Sequence, residues 1–283
     1  MSFIETAHKK KYALVEALRN LDSLLIAFSG GVDSTFLLAL AHDVLRSGVV
    51  AVTATAPFYP SREALEAIDF ARQRGIEHLV IPSEAGNLPI FRDNPPDRCY
   101  HCKAFLFRKL KDIADQRGIR HIAHAANVDD IADYRPGSKA AEEAGALAPL
   151  MDAGMNKEEI RVLSREMGLP TWNKPAMACL ASRIPYGEPI TEEKLKMIEE
   201  AEIFLASKGF RQFRVRCHGS LARIEVEKED LSRITAKALR ETIASRLKEI
   251  GFLYVSVDLE GYVTGSLNRV LNSREHGAGS KNR

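Results

Sequence analysis

Leu24-Leu25-Ile26-Ala27-Phe28-Ser29-Gly30-Gly31-Val32-Asp33-Ser34 is the stretch from which the rest of this 283-residue chain can be read. The five apolar residues predict a buried strand, and Thr35-Phe36-Leu37-Leu38-Ala39-Leu40 predicts a helix. Between them two adjacent glycines allow a sharp turn and a close approach of backbone to a ligand. The first N–H groups of the helix then face that ligand, and the positive end of the helix dipole favours an anion. Ser29 and Ser34 add hydroxyl donors. Strand, glycine turn and helix start together predict a phosphate cradle, whereas an isolated Gly-Gly would be an ordinary connection.

No Lys stands between the glycines and Ser34, so the cradle is not of the Walker type. It resembles the PP-loop (SGGxDS) of ATP pyrophosphatases, which implies cleavage of ATP between the α and β phosphates. On that resemblance Ser29, Gly30, Gly31, Val32, Asp33 and Ser34 bind ATP, and Asp33 is the acid placed near Mg²⁺.

Strand and helix patterns alternate through the first half. Val49–Ala54 and His78–Ile81 read as strands, and Ser61 as the cap of a helix from Arg62 to about Arg74. A helix is predicted from Cys102 to Gln116, then a strand from His121 toward Asn127. This alternation implies an α/β fold with a parallel, doubly wound sheet, whose ligands bind beyond the carboxyl ends of the strands. The Ser29 loop, the segment after Ala54 and Asn127-Val128-Asp129-Asp130 are expected to converge there. From Thr191 the pattern changes to a helix up to about Lys208, a hairpin of Gln212–Arg216 and Leu221–Val226 joined near Gly219, a helix over Leu231–Ile250, and two short strands at Leu253–Val257 and Tyr262–Leu267. The expected organisation is a PP-loop domain over 1–188, a smaller α+β domain for substrate binding or oligomerisation over 189–271, and a disordered tail over 272–283.

The charge is nearly balanced, with 40 basic and 38 acidic residues, which gives no electrostatic footprint for a dedicated nucleic-acid binder. No apolar run is long enough to span a bilayer, and the first residues lack the signature of a secretory leader. A cytoplasmic protein is expected, with its four cysteines reduced.

Cys99-Tyr100-His101-Cys102 is a C-x-x-C, and Cys179 lies downstream. Two thiolates on one turn can share a metal, and a third leaves one iron of a [4Fe–4S] cluster open. Structural zinc, with His101 or Cys217 as fourth ligand, and no metal at all are the alternatives on the chemistry alone. Asp129 and Asp130 read as ligands of metal, ribose or substrate, or as a strand-end turn or helix cap. Arg214 and Arg216 alternate along one strand face. Trp172 and Tyr186 suit ring stacking or core packing.

The segment Pro175–Gly187 with its core C-L-A-S-R-I-P-Y-G, the segment from Asp129-Asp130 to Asp133-Tyr134-Arg135-Pro136-Gly137, and the PP-loop together resemble the LarE family over nearly the whole chain. These are ATP-dependent sulfurtransferases of nickel-pincer cofactor biosynthesis. The resemblance implies adenylation of a carboxylate of pyridinium-3,5-biscarboxylic acid mononucleotide, followed by conversion to a thiocarboxylate. It implies a [4Fe–4S] cluster on Cys99, Cys102 and Cys179 as the sulfur carrier. Family members without the C-x-x-C instead sacrifice the sulfur of the cysteine at the position of Cys179. It further implies a substrate-phosphate site at Arg214 and Arg216, where the alternative is a solvated sheet face. Arg183 is expected to assist phosphate or thiolate beside Cys179, and Glu202 and Glu225 to bind metal or stabilise an oligomer. A homo-oligomer, a hexamer by resemblance, a sulfide source and other nickel-pincer enzymes are the implied partners. The rival functions are a tRNA thiolation enzyme, against which the near-neutral charge speaks, an amidating synthetase and an adenine-nucleotide sensor.

Overall fold

The computed structural model describes residues 2–132 and 136–271. Asp133, Tyr134, Arg135 and the tail 272–283 lie outside the described residues. The chain divides into two compact units: 1–91 with 95–177, and 92–94 with 178–283. The division falls after residue 177, where the sequence patterns suggest 188.

In chain order the first unit runs α1 (Phe3–Arg19), β1 (Leu24–Ala27), α2 (Val32–Leu45), β2 (Val49–Thr55), α3 (Ser61–Gln73), β3 (Glu77–Pro82), the single-turn α4 (Pro89–Arg92), α5 (Arg98–Arg117), β4 (His121–Ala123), α6 (Pro136–Glu143), the single-turn α7 (Pro149–Asp152) and α8 (Lys157–Glu166). Its four strands are parallel, in the order β3-β2-β1-β4. Successive side chains of β1 point to opposite faces. Leu24 and Ile26 join a core with Leu14 of α1, Phe36 of α2, Phe70 of α3 and Leu163 of α8. Leu25 joins Phe107 and Leu110 of α5 on the other face. A strand buried on both sides must be apolar throughout, which is why the run Leu24–Phe28 is legible. The expected α/β sheet covered on both faces is therefore present.

Some local expectations need correction. Pro60, not Ser61, occupies the cap of α3, and no side-chain cap bond is made there. Helix α5 begins at Arg98, so the C-x-x-C lies inside its first turn rather than ahead of it. Strand β4 ends at Ala123, and Val128–Ala132 forms a 3-10 turn.

The second unit contains α9 (Glu192–Ser207), β5 (Phe213–His218), β6 (Leu221–Val226), α10 (Leu231–Thr235), α11 (Lys237–Ile250) and β7 (Tyr254–Val257). Thr191 caps α9 by accepting the Lys194 N–H. The hairpin β5–β6 is antiparallel, and β7 lies parallel to β6. The helix expected over Leu231–Ile250 is two helices, interrupted where Ala236 adopts ψ 136°. The strand expected at Tyr262–Leu267 does not form. Only the Tyr262 N–H reaches the Val226 carbonyl, and Gly261 and Gly265, at φ +72° and +75°, turn the chain away on either side.

Candidate functional site

In the first unit β1 lies between β2 and β4, so growth of the sheet reverses direction there. The crevice beyond the carboxyl ends of β1 and β4 is the topological switch point at which such sheets bind ligands. The Ser29–Ser34 loop leaves β1 at that place. Gly30 has φ +72°, and a Cβ on it would stand 3.1 Å from the Glu63 carbonyl oxygen and 3.2 Å from the Ala67 Cβ; glycine is required on both counts. Gly31 caps α2 without a side-chain bond, leaving the N–H groups of the first turn available to an anion. The Ser29 and Ser34 hydroxyls are 3.0 Å apart; Ser29 Oγ accepts the Gly31 N–H and Ser34 Oγ donates to the Gly31 carbonyl.

Asp33 stands in the first turn of α2, just after the glycines. Its Oδ2 accepts from Lys157 Nζ at 2.5 Å, while Oδ1 is buried and has no hydrogen-bond partner. Burial pushes its pKa above the usual carboxylate value, against the opposing pull of Lys157. Asp130 is close enough to add to that rise. Asp129 Oδ2 accepts the backbone N–H of Lys157 at 2.8 Å, Asp129 N–H donates to Asn127 Oδ1, and Asp130 Oδ2 accepts the Asn127 N–H. Both acids thus carry turn and cap bonds, and Asp130 is the one whose charge reaches Asp33. A half-satisfied buried carboxylate next to a phosphate cradle fits a divalent cation.

Lys174 closes the back of the loop. Its Nζ donates to the Gly30 carbonyl at 3.0 Å and pairs with Glu66 at 2.7 Å and Glu63 at 3.4 Å. Arg161 donates to the Trp172 and Lys174 carbonyls, and Arg165 lies 5.0 Å over the Trp172 ring.

Cys99 and Cys102 belong to this unit and Cys179 to the other. None of the four cysteines forms a disulfide. Cys99 and Cys102 stand one helical turn apart, hence on one face of α5, and Cys102 Sγ is 3.6 Å from the Tyr59 hydroxyl. That pair suits two adjacent positions on a thiophilic metal centre. Among the described residues no three His, Cys, Asp or Glu side chains form a ready metal site.

In the second unit Arg183 is fully buried. It makes a two-pronged bond to Glu202 at 2.8 and 2.9 Å and donates to the Ala178 and Cys179 carbonyls. It also donates to the Ser182 hydroxyl at 3.0 Å, and the Cys179 charge acts on it as well. Glu202 also accepts the Val215 N–H. Arg216 pairs with Glu225 at 2.9 and 2.8 Å and donates to the Ser182 carbonyl. Arg214 lies 4.9 Å over the Tyr262 ring. Burial, then the neighbouring Arg183 charge, lowers its pKa to about 10. Arg214 and Arg216 share a strand face as expected. Both are buried, so the alternative of a solvated face is set aside. Glu202 and Glu225 are fully engaged with arginines, and Tyr186 donates to Asn268.

Lys157, Lys174 and Asn94 carry no local sequence signal. The first two are isolated lysines 124 and 144 residues from Asp33 and Gly30. Asn94 is fully buried at φ 55° and donates its amide toward the Ile184, Pro185 and Glu188 carbonyls, fastening the loop that follows Cys179.

No family model matches the chain. It is 43% identical over 251 residues to an uncharacterized protein of Synechocystis sp., covering 89% of this chain and 94% of that one. It is 35% identical over 271 residues to the pyridinium-3,5-bisthiocarboxylic acid mononucleotide synthase of Lactiplantibacillus plantarum, covering 95% and 98%. A shorter match, 37% over 82 residues and 26% of this chain, is to an NH(3)-dependent NAD(+) synthetase of Aeropyrum pernix.

Proposed function

The chain belongs to the LarE family, that of the pyridinium-3,5-bisthiocarboxylic acid mononucleotide synthase, and from that premise we propose that it is an ATP-dependent sulfurtransferase acting on pyridinium-3,5-biscarboxylic acid mononucleotide. The observation that carries the ATP-dependent step is the cradle itself: a glycine turn at a switch point, uncapped helix N–H groups, two serine hydroxyls, and a buried acid with one oxygen unpartnered.

A carboxylate resists substitution because its oxygen leaves poorly. In the reaction we propose, a substrate carboxylate oxygen attacks the α-phosphorus of ATP, the bond to the bridging oxygen breaks, and pyrophosphate leaves. The N–H groups at Val32–Ser34 and the two serines stabilise charge on the departing pyrophosphate. Asp33 would hold Mg²⁺, which supplies charge neutralisation on the phosphate chain. Sulfur at the sulfide level then attacks the acyl-adenylate carbon, and AMP departs with the former carboxylate oxygen, leaving a thiocarboxylate. Cys99, Cys102 and Cys179 would hold a [4Fe–4S] cluster, whose chemistry when bound is to present that sulfide. Arg214 and Arg216 are the residues assigned to the substrate phosphate, and Arg183 holds the Cys179 loop in place.

The test is anaerobic reconstitution followed by iron and sulfide analysis, then incubation with Mg·ATP and substrate. AMP, pyrophosphate and thiocarboxylate forming over repeated turnovers, with iron lost in Cys99→Ala, is the expected result. Formation of one thiocarboxylate per chain, with Cys179 losing the mass of H₂S, would instead establish sacrificial transfer. Absence of AMP and pyrophosphate would refute the reading.

A further inference from the structure

The ammonium of Lys157 sits on the only acid of the nucleotide loop, although its own chain position lies far away at the start of α8. Contacts from Asn156, Glu159, Lys10 and Asp129 hold its backbone there. Asn156 accepts the Glu159 N–H, and Glu159 accepts the Asn156 N–H in return. Glu159 is further held by Lys10 at 2.6 and 2.9 Å, and the Lys157 N–H is taken by Asp129. Side chains at a helix start lean toward its N-terminus, which carries this one back to Asp33. The base of the arm is fixed; only its methylenes are free to swing. About a third of the side chain is exposed, so it is not locked in a dry core.

The pair it forms is incomplete. Asp33 Oδ1 is buried without a partner, and Asp130 adds a second negative charge nearby. Arg161 also contributes positive charge at Asp33, but its guanidinium is committed to the Trp172 and Lys174 carbonyls. Of the two described cations that act on Asp33, Lys157 is therefore the one able to change partners. An ammonium and a divalent cation on one carboxylate repel each other, and phosphate oxygens offer the ammonium a strong charge-assisted alternative.

We propose that Lys157 is a stand-in cation of the nucleotide loop: it neutralises Asp33 while the cradle holds no nucleotide, and moves to the phosphate chain when a divalent cation arrives with ATP. The device keeps the metal from binding alone and reserves the site for the metal–nucleotide complex. This rests on the nucleotide reading of the loop given above.

The test uses the full chain and two binding measurements, neither depending on turnover. Mn²⁺ alone is titrated by electron paramagnetic resonance, and Mg²⁺ with α,β-methylene-ATP by calorimetry, for wild type, Lys157→Met and Lys157→Arg, each checked for folding by thermal melting. In Lys157→Met, Mn²⁺ alone should bind about tenfold tighter while the nucleotide complex binds about ten- to hundredfold weaker, the range for losing one charge-assisted bond. Lys157→Arg should keep weak Mn²⁺ binding and recover part of the nucleotide affinity. Mn²⁺ binding unchanged or weakened in a folded Lys157→Met, or unchanged nucleotide binding, overturns the inference while leaving the reading of the loop intact. A wild type that binds no nucleotide removes the reading and the inference together.

Discussion

Lys174 Nζ lies 3.0 Å from the carbonyl oxygen of Gly30, so the Ser29–Ser34 loop is fastened to a segment 144 residues further along the chain. The same ammonium separates Glu63 from Glu66. Burial pushes the Glu66 carboxyl up, but hydrogen bonds from Lys174 and Arg62 outweigh that and leave it below its usual pKa. Lys174→Met should destabilise the protein by about 1–3 kcal/mol, because it removes the ammonium shared by Glu63, Glu66 and the Gly30 carbonyl. It should also weaken nucleotide binding. Denaturant unfolding and calorimetry check the two effects separately.

Gly30→Ala strains the backbone at φ +72° and presses a methyl group against Glu63 and Ala67. A cost of about 1–3 kcal/mol is expected from the conformation alone. The loop cannot relax without leaving the helix N–H groups misaligned, so nucleotide binding should fall below detection in the same calorimetric experiment. Near-normal binding by this variant would show that the loop geometry is not what holds phosphate.

Glu202→Ala strands the buried Arg183 guanidinium and the Val215 N–H at once. Breaking a buried pair from one side costs about 3–5 kcal/mol. The double variant Arg183→Met with Glu202→Leu should be more stable than Glu202→Ala alone, since no uncompensated charge remains. A double-mutant cycle in urea measures the difference. If the single and double variants lose the same stability, the pair contributes packing only.

His124 connects stability to pH. Burial, then the nearby Lys103 charge, lowers its pKa from 6.5 to about 4. Between those two values the unfolded chain binds a proton at this site and the folded protein does not. The stabilising contribution of the neutral imidazole is present above pH 6.5 and is lost as pH falls toward about 4, by up to about 3 kcal/mol in total. His124→Gln should flatten that part of the acid limb, seen as a smaller fall in the urea midpoint between about pH 7.5 and about pH 4.5. An unchanged acid limb would assign the loss to other groups.

The conformation of the Ser29–Ser34 loop was legible because its signals are local. An apolar strand buried on both faces, a glycine forced by its own φ, and a helix start are neighbours in the chain. The alternation of β5 placed Arg214 and Arg216 on one face for the same reason. What the sequence hid depends on distance. Lys157 and Lys174 are ordinary lysines until folding brings them to Asp33 and Gly30, and Asn94 looks like a loop residue until three carbonyls converge on it. The break at Ala236 had no Gly or Pro to announce it. The helical spacing of Phe105, Leu106, Leu110 and Ile113 marks the body of α5, whereas its first turn from Arg98 carries no apolar repeat to mark it.

Asn94 also bears on how this protein can be cut. Residues 92–94 belong with 178–283, and the amide of Asn94 serves the Ile184, Pro185 and Glu188 carbonyls. A recombinant fragment beginning at Ala178 would carry every strand of the second sheet yet lack the donor for those carbonyls. A fragment ending at Met177 would keep Asn94 without the carbonyls it serves. A single cut in the gene therefore cannot follow the division between the two units, because three residues of the second are encoded inside the first.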